Sequence, residues 1–335
     1  MELSTTFKNV IDSVDNTYQT LDCTGAALVI YQNNELQVER YWGKHSAKED
    51  ARFVQSDTKF HIASCRKSYV AFAVAYALHH GFIQSLDDEI LTYLPISQQN
   101  ELYKGTTIRH LVTHSHGLIE RNGEVVREFT AGTSWAYRDI NVELIAKIIQ
   151  LATKKTIAEI VTDEVFTPLH FTETNWYNTF DDTFVDVIGK ENNRHWAASL
   201  NLDGSKKNLY TSARELAKWG LLHLNNGSLN GKQVIDSNIF KLATTLQNPS
   251  YSNADLPENG IFWFVKDTQA NQSEIGELVP NGAYQILGYT TVTLLVIPSE
   301  NIVAVRAFNS YGNPGGYDYL KDVRAFGDAV MLDLK

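Results

Sequence analysis

The sequence predicts an α+β fold, an antiparallel sheet flanked by helices and packed against a mostly α-helical region. Three stretches carry that expectation. Gly25 to Tyr31 and Leu36 to Trp42 are β-rich runs separated by Gln32-Asn33-Asn34-Glu35, and asparagine tolerates the positive φ that a tight hairpin needs. From Ser64 through Leu78 nearly every position is apolar or small and no proline intervenes, the pattern of a helix buried on most of its circumference. Toward the C-terminal end, residues 260–266, 282–297 and 301–309 are again strand-like.

Taken in order, residues 3–19 space Phe7, Val10, Ile11 and Val14 as a helix does, with Ser4, Thr5 and Thr6 as N-cap candidates, so this helix is expected to lie on the sheet. The hairpin and the Ser64 helix follow. From Ser85 to about Phe171 the signals are helical, opened by Ser85 and Asp88 in capping-box spacing. His110 and His114 are spaced i, i+4 as metal ligands are, yet no H-E-x-x-H and no third ligand accompanies them, so no metal is expected. A turn ends at Tyr137, and an amphipathic helix begins near Asp139 with Ile140, Leu144, Ile145 and Ile148 on one face. Residues 180–209 are irregular and polar around His195 and Trp196. The stretch Leu209 to Gly231 holds a scaffold helix, capped by Thr211 or Ser212 and ended by Asn225, Asn226 and Gly227. Of the late strands, 282–297 falls in one or two pieces, Pro298-Ser299-Glu300-Asn301 turns into the last, and Tyr319 to Leu334 fits a closing helix.

With 335 residues, 43% of them hydrophobic, the chain is long enough for one large domain or two closely packed ones, and no low-complexity run or fixed-period repeat appears. The net charge is −10 and the basic residues do not cluster, which argues against nucleic acid or an anionic membrane surface as the main partner. A small-molecule substrate is the expected partner, and the oligomeric state is not legible. MELSTTFKNVIDSV has neither a basic n-region nor an apolar h-region, so a cytoplasmic chain is expected. Cys23 and Cys65 lie far apart without metal spacing and are expected to be reduced, Cys65 as a small buried apolar residue. Nothing calls for an organic cofactor.

The chemistry begins at the Ser64 helix. Ser64 and Lys67 stand three apart and project from one face. A serine hydroxyl needs a base to take its proton, and a lysine in an apolar setting becomes that base by losing its charge. The unpaired N–H groups of a helix start also receive negative charge developing on a substrate oxygen. Ser64 to Lys67 is thus an S-x-x-K unit. FHIASCRKSYVAFAVAYALHHGFIQSLDDEILTYLP resembles the nucleophile segment of the serine hydrolases related to class C β-lactamases and penicillin-binding proteins. Three further segments extend the resemblance over almost the whole chain: TTIRHLVTHSHGL from Thr106, AGTSWAYRDINVELIAKIIQL from Ala131, and LYTSARELAKWGLLHLNNGSLNG from Leu209. It implies a β-lactamase/transpeptidase-like fold, with 1–60 and 205–335 forming the sheet part, 61–204 the helical part, and the site between them. It also makes residues 180–209 a region for substrate-contacting loops.

By that resemblance Ser64 attacks an acyl carbon, Lys67 and Tyr137 share the proton transfers, and the backbone N–H groups of Ser64 and Val292 form the oxyanion hole. The second-motif position is Tyr137-Arg138-Asp139 where the family has Y-x-N, and the third is Tyr289-Thr290-Thr291 where the family has K-T-G or a variant. Two departures follow. An ionised Asp139 about 4 Å from Lys67 is worth roughly 4 kcal/mol at an effective dielectric near 20, enough to hold the lysine charged, which makes Tyr137, its pKa lowered by that ammonium, the expected base. Thr291 replaces the glycine that leaves room along the strand edge and is expected to narrow the site, and Tyr289 removes a cation that holds substrate carboxylates in some relatives. The leading expectation is therefore an esterase or amidase acting on a small or neutral substrate. The alternatives are a catalytically impaired binding protein and a β-lactamase or D,D-carboxypeptidase.

Overall fold

The computed structural model describes residues 7–95, 101–189, 199–268 and 270–335. Six strands form one antiparallel sheet in the order β10-β11-β12-β13-β1-β2, where β1 is Gly25–Gln32, β2 Glu35–Gly43, β10 Phe264–Val265, β11 Tyr284–Gly288, β12 Val292–Ile297 and β13 Ile302–Phe308. The β1–β2 turn is made by Asn33 and Asn34 at φ 54° and 65°, the two left-handed residues of a hairpin whose twist matches its strands. Because side chains alternate, β1 sends Ala26, Leu28 and Ile30 to one face and Ala27 and Val29 to the other, and both faces are buried.

One face is covered by α1 (Lys8–Thr20) and α8 (Tyr319–Leu332), which bring Val10, Val14, Val323, Phe326 and Val330 against it. A buried ion pair ties α8 down, with Arg306 of β13 at 2.6 Å from Asp322. The other face receives α6 (Ala213–Leu224), where Gly220 lets the helix approach Val303 and Leu294 closely. Ser212 caps α6, its hydroxyl accepting from the Glu215 N–H, as the sequence pattern expects.

Beyond α6 lies the helical layer: α2 (Lys67–His79), α3 (Ile108–Val112), α4 (Ile140–Thr153), α5 (Ile157–Val161) and α7 (Ser237–Thr244). Helix α2 is buried over nearly its whole length and packs against α4, α5 and α7. It is entered from β3 (Lys59–His61), which pairs with β7 (Leu209–Ser212), itself paired with β6 (Asn175–Trp176). The small hairpin β8 (Ser228–Leu229) and β9 (Lys232–Gln233) follows α6. The fold is α+β and β-lactamase/transpeptidase-like.

Three local expectations are corrected. The stretch 85–171 is not wholly helical, since β4 (Leu118–Arg121) and β5 (Glu124–Arg127) form a hairpin on Asn122-Gly123, both at positive φ. The predicted strand 260–266 shrinks to Phe264–Val265, because Phe262 at φ 62° breaks the extended run. Ser64 itself lies in a 3₁₀ turn, Ala63–Arg66, and α2 begins at Lys67. Ser4, Thr5 and Thr6, together with His195 and Trp196, lie outside the described residues. Both cysteines are free, and no helix among the described residues is long and apolar enough to cross a membrane.

Candidate active site

The turn that carries Ser64 is tight because Ala63 adopts φ 45°, a left-handed conformation that costs a non-glycine residue about 1 kcal/mol or more. It presses against the sheet, where Gly288 at the end of β11 comes so close to the Ile62 carbonyl that a Cβ would stand 2.3 Å from its oxygen. Cys65 fills the back of this contact, its Sγ 3.4 Å from the Val292 carbonyl, and burial pushes its thiol well up, so it serves as apolar packing. Ser64 is left with its side chain facing a cavity.

One turn on, the Lys67 side chain is 1% exposed, and its Nζ donates to the Tyr137 hydroxyl at 2.6 Å and to Asp139 Oδ1 at 2.8 Å. The Tyr137 hydroxyl in turn hydrogen-bonds Ser64. Tyr137 and Asp139 arrive on the segment leading into α4. His114 positions that segment: its ring stacks on Tyr137 at 4.4 Å between centroids, and its carbonyl accepts from the Ala136 N–H at 3.0 Å. Its own Nδ1 meets Asn141 Nδ2 at 3.1 Å. His110 does separate work in the capping box of α3, Nδ1 accepting from the Thr107 N–H at 3.1 Å.

The charges settle differently from the sequence expectation. Burial drives Lys67 down to about 7, winning over Asp139, which raises it. Arg66 and Lys207 add repulsion in the same direction as burial. Asp139 fails to hold the lysine fully charged for two reasons. Its carboxylate is shared with Lys207, whose Nζ lies 2.5 Å from Oδ2, and at 41% exposed its field is screened by water. Burial opposes ionisation of Asp139 itself, but Lys67 and Lys207 outweigh it and hold the carboxyl well below the usual range. Tyr137 is raised above the ordinary tyrosine range, by burial first and by Asp139 second. These shifts run against the expected low-pKa Tyr137: burial raises the phenol and lowers Lys67.

The third-motif residues sit at the apex of the β11–β12 hairpin. Tyr289 is exposed, and its ring meets Tyr311 edge-on at 4.9 Å. Thr290 is buried and donates its hydroxyl to the His61 carbonyl at 2.6 Å, fastening the apex to the residue that ends β3. Thr291 lies outside both strands at φ 61°, with its N–H on the Gly288 carbonyl at 2.9 Å. This is the left-handed corner of a three-residue hairpin loop, where glycine is at ease and a β-branched residue is strained. Thr291 thus shapes the loop rather than lying on a strand edge, and it does not line the cavity. Val292, implied as an oxyanion donor, opens β12 and is not among the lining residues, and the hairpin residues that line the cavity are Leu287, Gly288 and Tyr289. Among the described residues, the Tyr289 N–H donates to no backbone carbonyl.

The cavity beside Ser64 encloses about 240 Å³ and is walled by Trp135, Tyr137, Phe264, Tyr319 and one carboxyl, Glu274. A wider surface groove of about 850 Å³ between α1 and α8 holds none of Ser64, Lys67 and Tyr137. Sequence reasoning missed Lys207, His114 as a positioning residue, and Glu274. The first two lie in segments whose local pattern reports only polar loop or helix end, and Glu274 belongs to no motif.

A buried S-x-x-K turn beside a sheet edge, joined to a tyrosine from the helical layer, defines the serine-hydrolase fold of the β-lactamase type. The chain belongs to the beta-lactamase family, whose model matches residues 11–328. It is 51% identical to an uncharacterised protein of Alkalihalophilus pseudofirmus, over 99% of this chain and 98% of that one. Among solved structures it is similar to a class C beta-lactamase in complex with cefoxitin, at TM-score 0.80 and 14% identity over 100% of both chains. It is also similar to EstCE1, a hydrolase with promiscuous acyltransferase activity, at TM-score 0.74 and 15% identity over 97% of this chain and 98% of that one. At these identities the likeness to solved structures is one of fold.

Proposed function

We propose that the protein is a serine hydrolase that acts through an acyl-enzyme on a small ester or amide. The observation that carries this reading is the buried Lys67, drawn to about 7 while it touches Tyr137, which in turn touches Ser64. Near neutral pH about half of such a lysine is unprotonated. The Ser64 hydroxyl gives its proton to the Tyr137 oxygen as Tyr137 passes its own to Lys67 Nζ, so no free phenolate forms and its high pKa is no obstacle. Ser64 Oγ then bonds to the acyl carbon and the carbonyl π pair moves to oxygen; as that pair returns, the bond from the acyl carbon to the leaving group breaks and Lys67 sends the proton through Tyr137 to the departing atom. Water repeats the sequence to free the acid. Such acid–base help is worth about 10² to 10⁴ in rate.

The carbonyl oxygen is placed on the N–H groups of Ser64, in the first turn and without an intrahelical partner, and of Tyr289, at the cavity wall. Each such donor contributes roughly 3 to 4 kcal/mol to the transition state. Tyr289 puts an uncharged ring at the apex where a cation would hold a substrate carboxylate, which favours esters and amides over β-lactams and C-terminal peptides.

The test is intact mass after exposure to a fluorophosphonate, with Ser64→Ala as control, followed by nitrophenyl esters and nitrocefin. An adduct on the wild type alone, with ester turnover exceeding nitrocefin turnover, is the expected result. No adduct between pH 6 and 10 overturns the reading.

A further inference from the structure

The cavity beside Ser64 has an uneven chemistry. Its walls are the rings of Trp135, Tyr137, Phe264 and Tyr319, and among them stands one acidic side chain, Glu274. Trp135 has its polar edge occupied, Nε1 donating to Asn259 Oδ1 at 2.8 Å, so what it offers the cavity is ring surface. Glu274 Oε2 is buried and, among the described residues, has no hydrogen-bond partner. The nearby cation, Arg324, is held elsewhere, its guanidinium donating to the Ser273 carbonyl at 2.7 Å and the Asn271 carbonyl at 2.5 Å. Burial accordingly pushes Glu274 up to about 7, against a partial lowering by Arg324.

A buried carboxyl without a partner is unfavourable for folding alone, and polar groups in such places are usually paired. Because Glu274 lines the cavity, a group that enters from outside can supply the missing counter-charge to its carboxylate. Aromatic faces attract cations, and a carboxylate among them completes a receptor for an ammonium group. The space holds roughly eight water molecules at about 30 Å³ each, enough for a short acyl chain and no more.

Resting on the acyl-enzyme reading for the position of the scissile carbonyl, we propose that Glu274 determines specificity, and that the substrates are short amides or esters whose acyl part carries a protonated amine. The ammonium donates to the Glu274 carboxylate where it lines the cavity, the hydrocarbon lies against Phe264 and Trp135, and the carbonyl falls on Ser64. Binding ionises Glu274, so the pair is neutral overall and the cavity stays compatible with its apolar walls.

Binding and chemistry are separated in the test. Calorimetric titration of the full chain compares alaninamide, each enantiomer in turn, with propionamide, which lacks only the ammonium. The expected result is that one enantiomer binds the wild type at least about tenfold more tightly than propionamide. In Glu274→Gln that ratio falls to about one, while Glu277→Gln, an exposed neighbour, keeps it. Thermal unfolding confirms that each variant is folded. Equal binding of the two amides by the wild type, or a ratio retained in Glu274→Gln, overturns the proposal. Fluorophosphonate labelling of the wild type reports separately on Ser64: labelling without discrimination sinks the ammonium site alone, and discrimination without labelling sinks the hydrolase reading alone.

Discussion

Two carboxyl groups stand out in the candidate site, one paired with Lys67 and one lining the cavity beside Ser64, and the protein treats them in opposite ways. Asp139, on the Lys67 side, is held ionised well below the usual range, whereas Glu274, on the aromatic side, is pushed up to about 7. Burial disfavours charge at both. What separates them is the company. Asp139 has ammonium groups at 2.8 and 2.5 Å, and among the described residues Glu274 has as counter-charge an arginine that is engaged with backbone carbonyls. One carboxyl therefore belongs to a closed ion cluster around Lys67, and the other lines the cavity. The contrast teaches that a carboxylate in a cleft is machinery or receptor according to whether its counter-charge belongs to the chain.

The largest break of this contrast is Lys67→Met. It removes the proposed base and leaves Asp139 paired with Lys207, and the rate of fluorophosphonate labelling is expected to fall by about 10³. Loss below tenfold would assign proton removal elsewhere.

Glu274→Gln comes next and is read in stability. The folded state raises this pKa from 4.5 to about 7, so between those values the native protein binds more protons than the unfolded chain, and wild-type stability falls as pH rises through that window. The Gln variant escapes the loss. It should match the wild type below pH 4.5 and exceed it by about 3 kcal/mol at pH 8, measured by urea unfolding across pH. Parallel pH curves would show that the carboxyl is not held neutral.

Asp139→Asn sharpens the other wall. Removing the anion that raises Lys67 leaves burial, Arg66 and Lys207 acting downward, so the ascending limb of kcat/KM should move to lower pH by about one unit. An unmoved limb would dissociate Asp139 from the base. The smallest effect is expected from Thr291→Gly, which relieves the left-handed strain at the hairpin apex and should stabilise by about 1 kcal/mol, seen as a higher urea midpoint with unchanged slope.

Local rules made much of the fold legible. Asn33-Asn34 announces its hairpin, Ser212 its cap, and the alternating apolar residues of β1 and β13 a doubly covered sheet. Asn122-Gly123 was equally explicit, and its hairpin was overlooked because strong helical spacing on either side absorbed it. The hairpin apex misled for a different reason. Thr291 has the propensity of a strand residue, but three residues between Gly288 and Val292 leave it the left-handed corner of the loop, so loop length overrode propensity.

The chemistry divides along the same line. Ser64 and Lys67 are neighbours by helical arithmetic alone, and Tyr137 with Asp139 follows from one recognisable segment, so the side chains that meet in the candidate site were readable from the chain. Their protonation was not. A pKa is a free-energy difference set by the solvent excluded and the charges gathered around a group, and those charges come from segments far apart in sequence: Lys207 onto Asp139, Arg324 near Glu274, and the sheet edge at Gly288 that buries the nucleophile turn. Only the assembled fold lowers Lys67, raises Tyr137 and sets Glu274 in the wall of the cavity.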